Sequence, residues 1–137
     1  MSQIENLLLI RHTFAVVGVS TDPSKYGHEL FETLTKHGHQ VFPVNPKYKS
    51  IDDYICYASL ADLLNTPDAV ITAIPPSVSV QIAEVCVKLG IPCFWMPPGT
   101  ESDEAIEFCE KNSITAIHGF CPVFVLKLPR DRWSELP

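Results

Sequence analysis

The sequence predicts an α/β fold: a doubly wound, mainly parallel sheet of about five strands in a three-layer arrangement with helices on both faces. Three observations predict it. Short, wholly apolar runs recur along the chain, and such runs read as strands buried on both faces. Segments with helical apolar spacing separate them. Strand–helix–strand alternation calls for parallel pairing with right-handed crossovers. A length of 137 residues suits one domain, 1–137.

The elements follow in order. A short amphipathic helix is expected within residues 1–11. Phe14-Ala15-Val16-Val17-Gly18-Val19 is the first buried strand. Tyr26 to His37 carries Leu30, Phe31 and Leu34 at helical spacing, and Gly38 stops it. Gln40–Val44 is a second strand, and Pro43 inside it suggests an edge position or an irregular start. Ile55-Cys56-Tyr57 reads as a third, short strand. Ser59-Leu60-Ala61-Asp62 resembles a capping box that opens a short helix.

Ala69–Ile74 is the next strand, and Ser77 is placed to cap the helix after it. That helix has Val78, Ile82, Val85, Cys86 and Leu89 at 3–4 spacing and ends at Gly90. Pro92–Met96 is another strand. Thr100 or Ser102 can cap a helix carrying Ala105, Ile106 and Cys109. Ile114–Ile117 is the last clear strand, and residues 127–137 read as a polar tail.

Charge and cysteine usage narrow the function classes. The net charge is −6, yet residues 11–49 carry a surplus of +2 and residues 50–110 a balance of −9. An acidic protein of this kind is a poor partner for nucleic acid or an anionic membrane. No apolar run is long enough for a signal peptide or a membrane span. The five cysteines include no CxxC pair and several sit in apolar runs, so reduced buried thiols and a cytoplasmic setting are expected. His37-Gly38-His39 has no partners at ligand spacing, and no metal is expected.

In a doubly wound sheet, ligands sit beyond the carboxyl ends of the strands, where strand order reverses. The first such segment is Gly18-Val19-Ser20-Thr21-Asp22-Pro23-Ser24-Lys25-Tyr26-Gly27. Gly18 permits a tight turn, Ser20 and Ser24 can donate to phosphate oxygens, and Lys25 is a mobile cation beside a helix N-terminus. The usual dinucleotide and P-loop glycine spacings are absent. A phosphate loop and a plain strand–helix turn therefore both fit. The second strand ends in Val44-Asn45-Pro46-Lys47, with no carboxylate until Asp52. A cation where NAD-binding sheets place an acid favours a phosphorylated ribose, as in NADP or coenzyme A. Later strand ends run into proline, at Ile74-Pro75-Pro76 and Met96-Pro97-Pro98-Gly99, which makes a stiff rim with few backbone donors.

Together these pieces resemble the stand-alone coenzyme A-binding proteins related to the N-terminal domain of the succinyl-CoA synthetase α subunit. Ala15-Val16-Val17-Gly18-Val19-Ser20, Pro23, Lys25, Gly27, Val44-Asn45-Pro46-Lys47, Tyr57–Asp62 and Ile74-Pro75-Pro76 carry the resemblance. It implies a Rossmann-like fold with CoA or an acyl-CoA as ligand. The implied site comprises Gly18, Val19, Ser20, Pro23, Ser24, Lys25, Tyr26, Gly27, Asn45, Pro46, Lys47, Ile74, Pro75, Pro76 and Gly99. Within it, the first loop holds the pyrophosphate, Lys47 lies near the ribose phosphate, and Pro75 and Pro76 border the adenine or pantetheine path. The chain departs from the pattern in having Pro98 before Gly99, and Asp52-Asp53 where a glycine is usual.

No catalytic set is evident: His118 and Cys121 are close in sequence without needing to face each other, and no acidic pair or Ser-His-Asp set occurs. The reading is a non-catalytic CoA-binding module. A small NADP-dependent oxidoreductase or NADP-binding protein is the alternative. The ligand is a small nucleotide, and a homo-oligomer or an enzyme partner is left open.

Overall fold

A computed structural model describes residues 1–137. Helix α1 (Gln3–Leu9) precedes strand β1 (Thr13–Val17), helix α2 (Tyr26–Lys36) and strand β2 (Gln40–Val44). A hairpin of β3 (Ser50–Ile51) and β4 (Tyr54–Ile55) follows, then a 3-10 turn at Leu60–Asp62. The second half comprises β5 (Ala69–Thr72), α3 (Pro76–Leu89), β6 (Cys93–Met96), α4 (Asp103–Lys111), β7 (Thr115–His118), α5 (Pro122–Lys127) and a 3-10 turn at Arg130–Glu135.

Five strands form one all-parallel sheet in the order β2-β1-β5-β6-β7. The chain runs from β1 outward to β2, then returns to β5 on the other side of β1. Strand order therefore reverses between β1 and β5. Pro43 sits on β2, an edge strand, where its missing N–H removes only an outer ladder bond.

Alternation along the strands splits the core into two layers. Phe14, Val16, Ile71, Trp95 and Ile117 pack on one face against Ile4, Leu30, Phe31, Leu34 and Val125 of α1, α2 and α5. Ala15, Val17, Val70, Phe94 and Met96 pack on the other against Ala83, Cys86, Ala105 and Cys109 of α3 and α4. All five cysteines are free. Burial raises the thiols of Cys56, Cys86, Cys93 and Cys109, to about 12 at Cys86 and Cys93 and about 11 at Cys109, which keeps them protonated and unreactive.

Several local expectations are corrected. Pro76 begins α3 and Pro75 stands at its cap, so Ser77 lies inside the first turn and caps nothing; proline suits that position because the first amides lack partners anyway. Ser102 caps α4 through Ala105 N–H, whereas Thr100 is buried in a different network. Ser59 makes no side-chain cap bond, and Leu60–Asp62 is a single 3-10 turn rather than a short α-helix.

The strand expected at 55–57 is displaced. Residues 50–55 instead form the β3–β4 hairpin, and Tyr57 adds one isolated bridge to Val44. The hairpin turn is Asp52-Asp53, both with positive φ (48° and 69°), as the favoured two-residue turn requires. That explains why a glycine is usual there, and here two aspartates carry the strain. Helix α5 was not anticipated, because Pro122 after a strand reads as a terminator yet is also a good first helical residue. The segment read as a polar tail folds back: Trp133 is buried, its Nε1–H donates to Leu128 O at 3.2 Å, and Pro137 O accepts from Ile4 N–H at 3.2 Å.

Candidate functional site

The carboxyl ends of β1, β2 and β5 meet at one sheet edge, at the reversal of strand order. Two close approaches build this edge. Gly18 has φ +100°, and a Cβ on it would lie 2.4 Å from Ala73 O. A Cβ on Gly27 would lie 2.4 Å from Gly18 O. Both glycines are therefore required, the first for the turn and the second so that α2 starts against the strand end. The latter is the role of the third glycine in dinucleotide-binding loops, here met over a longer spacing.

The loop between them is prefolded. Asp22 N–H donates to Ser20 Oγ at 3.0 Å, and Asp22 Oδ1 accepts from Ser24 N–H (2.9 Å) and Ser24 Oγ–H (2.8 Å). These two bonds from Ser24, helped by Lys25 and His28, hold the Asp22 carboxyl below its ordinary value. Ser24, expected to face a phosphate, is thus turned to Asp22. The amides of Tyr26, Gly27 and His28 have no intrahelical acceptor. Lys25, at the cap, sends no side chain back to them and stands exposed.

The second strand end is tied to the first. Gly18 N–H donates to Val44 O at 2.8 Å, and Asn45 Nδ2–H donates to Val19 O at 2.9 Å. Asn45 Oδ1 accepts from Lys47 N–H at 2.9 Å, so the Asn45 amide braces the two loops. The Tyr48 hydroxyl lies against the side chains of Ser20 and Thr21, which pull its pKa down. Lys47 is exposed beside Pro46. At the third strand end, Thr72 Oγ1–H donates to Thr100 Oγ1 (2.9 Å), Thr100 Oγ1–H to Pro97 O (2.8 Å) and Ser79 Oγ–H to Thr100 O (2.7 Å). This buried chain locks α3 to the β6–α4 loop.

A cavity of about 520 Å³ opens at this edge. Gly18, Asn45, Pro46 and Ile74 from the expected site line it. Val19, Ser20, Pro23, Ser24, Lys25, Gly27, Lys47, Pro75 and Pro76 belong to the adjoining loops without lining it. Two expected residues lie apart. The Tyr26 hydroxyl is 3.0 Å from Cys121 Sγ, and its pKa is raised, by burial first and then by that bond. Gly99 N–H donates to Glu101 Oε1 at 2.8 Å, so Gly99 closes its own turn. His118 is exposed while Cys121 meets Tyr26, and the two make no hydrogen bond.

Two walls of the cavity were missed by sequence reasoning. One is the 58–61 segment; the other is Val78, Ile82 and Val85 on α3. The sequence shows only ordinary apolar spacing in α3, and the fold shows which of its rows meets the sheet. The buried face of α3 carries the small residues Ser79, Ala83 and Cys86, while the larger Val78, Ile82 and Val85 stay half-buried. A helix that turns its small residues to the sheet and its large ones outward is lining something.

Comparison with known proteins adds four findings. The profile of the CoA binding domain family matches residues 12–127. The ADP-forming acetate–CoA ligase of Methanocaldococcus jannaschii is 30% identical over 77 residues, 56% of this chain but 11% of the ligase. The chain thus spans about a tenth of that relative. The uncharacterised Bacillus subtilis protein YneT is 24% identical over 123 residues, covering 88% of this chain and 89% of that one. The structure of a conserved hypothetical protein of Pyrococcus furiosus superposes with a TM-score of 0.79 at 35% identity, covering 86% of this chain and all of that one.

Proposed function

The chain belongs to the CoA binding domain family, and from that premise we propose that it holds coenzyme A or an acyl-CoA across the β1, β2 and β5 strand ends as a binding module. One observation carries the placement: an apolar cavity and a cation-bearing helix N-terminus share a single edge. CoA has matching parts, a flat base and a charged diphosphate. The adenine enters the cavity against Pro46, Leu60 and Ile82. The diphosphate lies over the 20–27 loop at the free amides of α2, where the helix end favours an anion. Lys25 adds a cation there, and Lys47 approaches the ribose phosphate. Asp22 limits how deeply the diphosphate settles, because its ionised carboxylate repels it.

The binding-module reading draws support from how the polar groups are used. Asn45, Ser24, Thr72, Ser79 and Thr100 hold loops together. Four of the thiols are buried and protonated. No helix is long and apolar enough to cross a membrane.

Calorimetric titration with CoA, acetyl-CoA, dephospho-CoA and NADP tests this reading. CoA and acetyl-CoA should bind with similar affinity, dephospho-CoA more weakly and NADP weakest. NADP binding as tightly as CoA, or CoA failing to bind, would overturn it.

A further inference from the structure

Away from the strand-end cavity, α2 and the β3–β4 hairpin bring together three metal-ligating side chains that sequence spacing does not reveal. His28 and Glu32 are four residues apart on α2, hence on one face. Asp52 reaches them from the hairpin turn. Their donor atoms all lie within 4.8 Å of one another.

The histidine points to a ligand. Its side chain is only 5% exposed, and Nε2 finds no hydrogen-bond partner in the fold. Yet Asp52 Oδ2 stands 2.6 Å from that nitrogen. Two such atoms repel at this distance unless a proton or cation lies between them. A proton on Nε2 points along the ring's N–H direction, and the carboxylate oxygen is not placed to accept it. A cation bound off the N···O line satisfies both atoms.

We propose that His28 Nε2, Glu32 and Asp52 form a binding site for a divalent first-row transition ion such as Zn²⁺, which fastens the β3–β4 hairpin to α2. One imidazole and two carboxylates suit such an ion better than Mg²⁺ or Ca²⁺, which favour all-oxygen sets. Bonds of about 2.0–2.2 Å need only small rotations of Glu32 and Asp52, both exposed. Glu32 must release Lys36, 3.0 Å away, but both partners are largely exposed and such pairs hold weakly. Three protein ligands leave the outer positions to water.

The test is calorimetry of the chelator-treated full chain with Zn²⁺, with Mg²⁺ as the comparison cation. One Zn²⁺ per chain should bind, and Mg²⁺ far more weakly. Glu32→Gln and Asp52→Asn should each weaken Zn²⁺ by roughly tenfold or more and abolish the rise in unfolding temperature that Zn²⁺ produces. Both replaced residues are exposed, and asparagine tolerates the positive φ of position 52. The metal-free variants should therefore unfold near the native temperature, which separates lost coordination from lost folding. Absence of a saturable Zn²⁺ site would overturn the proposal. So would Zn²⁺ affinity unchanged in both variants, since the ion would then sit on other imidazoles.

Discussion

Gly27→Ala isolates the contact on which the strand-end site is built. A Cβ at this position would stand 2.4 Å from Gly18 O, 3.1 Å from Gly18 C and 3.2 Å from the Ala73 side chain. Real Cβ contacts essentially never fall below 3.0 Å, so α2 or the β1 end must retreat by about 0.6 Å or more. The obstacle is backbone on both sides, which no rotamer change relieves. Overpacking of this kind costs about 1–3 kcal/mol. Alanine returns at most about 0.5–1 kcal/mol in helix propensity, and less in a first turn. The net expectation is a loss of about 1–2 kcal/mol. For a chain of this length that lowers Tm by roughly 3–8 °C. The same retreat moves the amides of Tyr26 and His28, so CoA affinity should fall by about tenfold.

Gly38→Ala is the control. Its φ of +89° strains an alanine, but a Cβ there meets nothing within 4 Å. It should lower Tm and leave CoA affinity intact. Thermal unfolding and calorimetry on both variants decide the matter. A Gly27→Ala protein as stable as the native chain, with unchanged CoA affinity, would refute the reasoning.

Three further outcomes are expected. Lys47→Ala should weaken CoA a few-fold and dephospho-CoA hardly at all, because an exposed charge pair contributes about 1 kcal/mol or less; calorimetry with both ligands checks it. Ala61→Trp, at an exposed position on the cavity wall, should block CoA binding with little change in Tm, as read by titration and thermal unfolding. His39 should titrate below its ordinary value, followed by NMR of its ring. Burial is the main cause, aided by His12, His37 and Arg11 and opposed by the bond to Leu8 O. Its Nδ1 also accepts from His12 N–H at 3.1 Å, which only the neutral ring can do. The unfolded chain therefore binds the proton more readily. Stability should be full above about pH 6.5 and fall below it, by at most about 1.4 kcal/mol per pH unit until the folded-state pKa is passed.

The strands and the strand-end edge where β1, β2 and β5 meet were legible because they follow local rules. The apolar runs Phe14–Val19 and Ala69–Ile74 read as buried parallel strands, which the fold places at Thr13–Val17 and Ala69–Thr72, and Pro43 pointed to an edge or an irregular start for β2, which is an edge strand. Gly18 announced a tight turn even without the usual glycine spacing, whereas the packing of Gly27 against Gly18 O shows only in the fold. What escaped depends on contacts distant in sequence. The α3 residues Val78, Ile82 and Val85 have ordinary core spacing, and only the sheet's position shows that they line a cavity. Tyr26 sits inside the loop motif, yet Cys121, far along the chain, decides where its hydroxyl points. Asp52-Asp53 hid a hairpin, since aspartates rarely occupy both left-handed turn positions. Trp133 is a lone aromatic in a polar stretch, and only the docked fold shows it buried.

The placement of CoA is tested most directly by mapping chemical shifts on the isotopically labelled chain during a CoA titration. The amides of Gly18, Ser20, Tyr26 and Gly27 and the methyls of Leu60, Val78 and Ile82 should move together and saturate at one CoA per chain. Shifts confined to other surfaces, such as α1 and β7, or no saturable shifts at all, would contradict it.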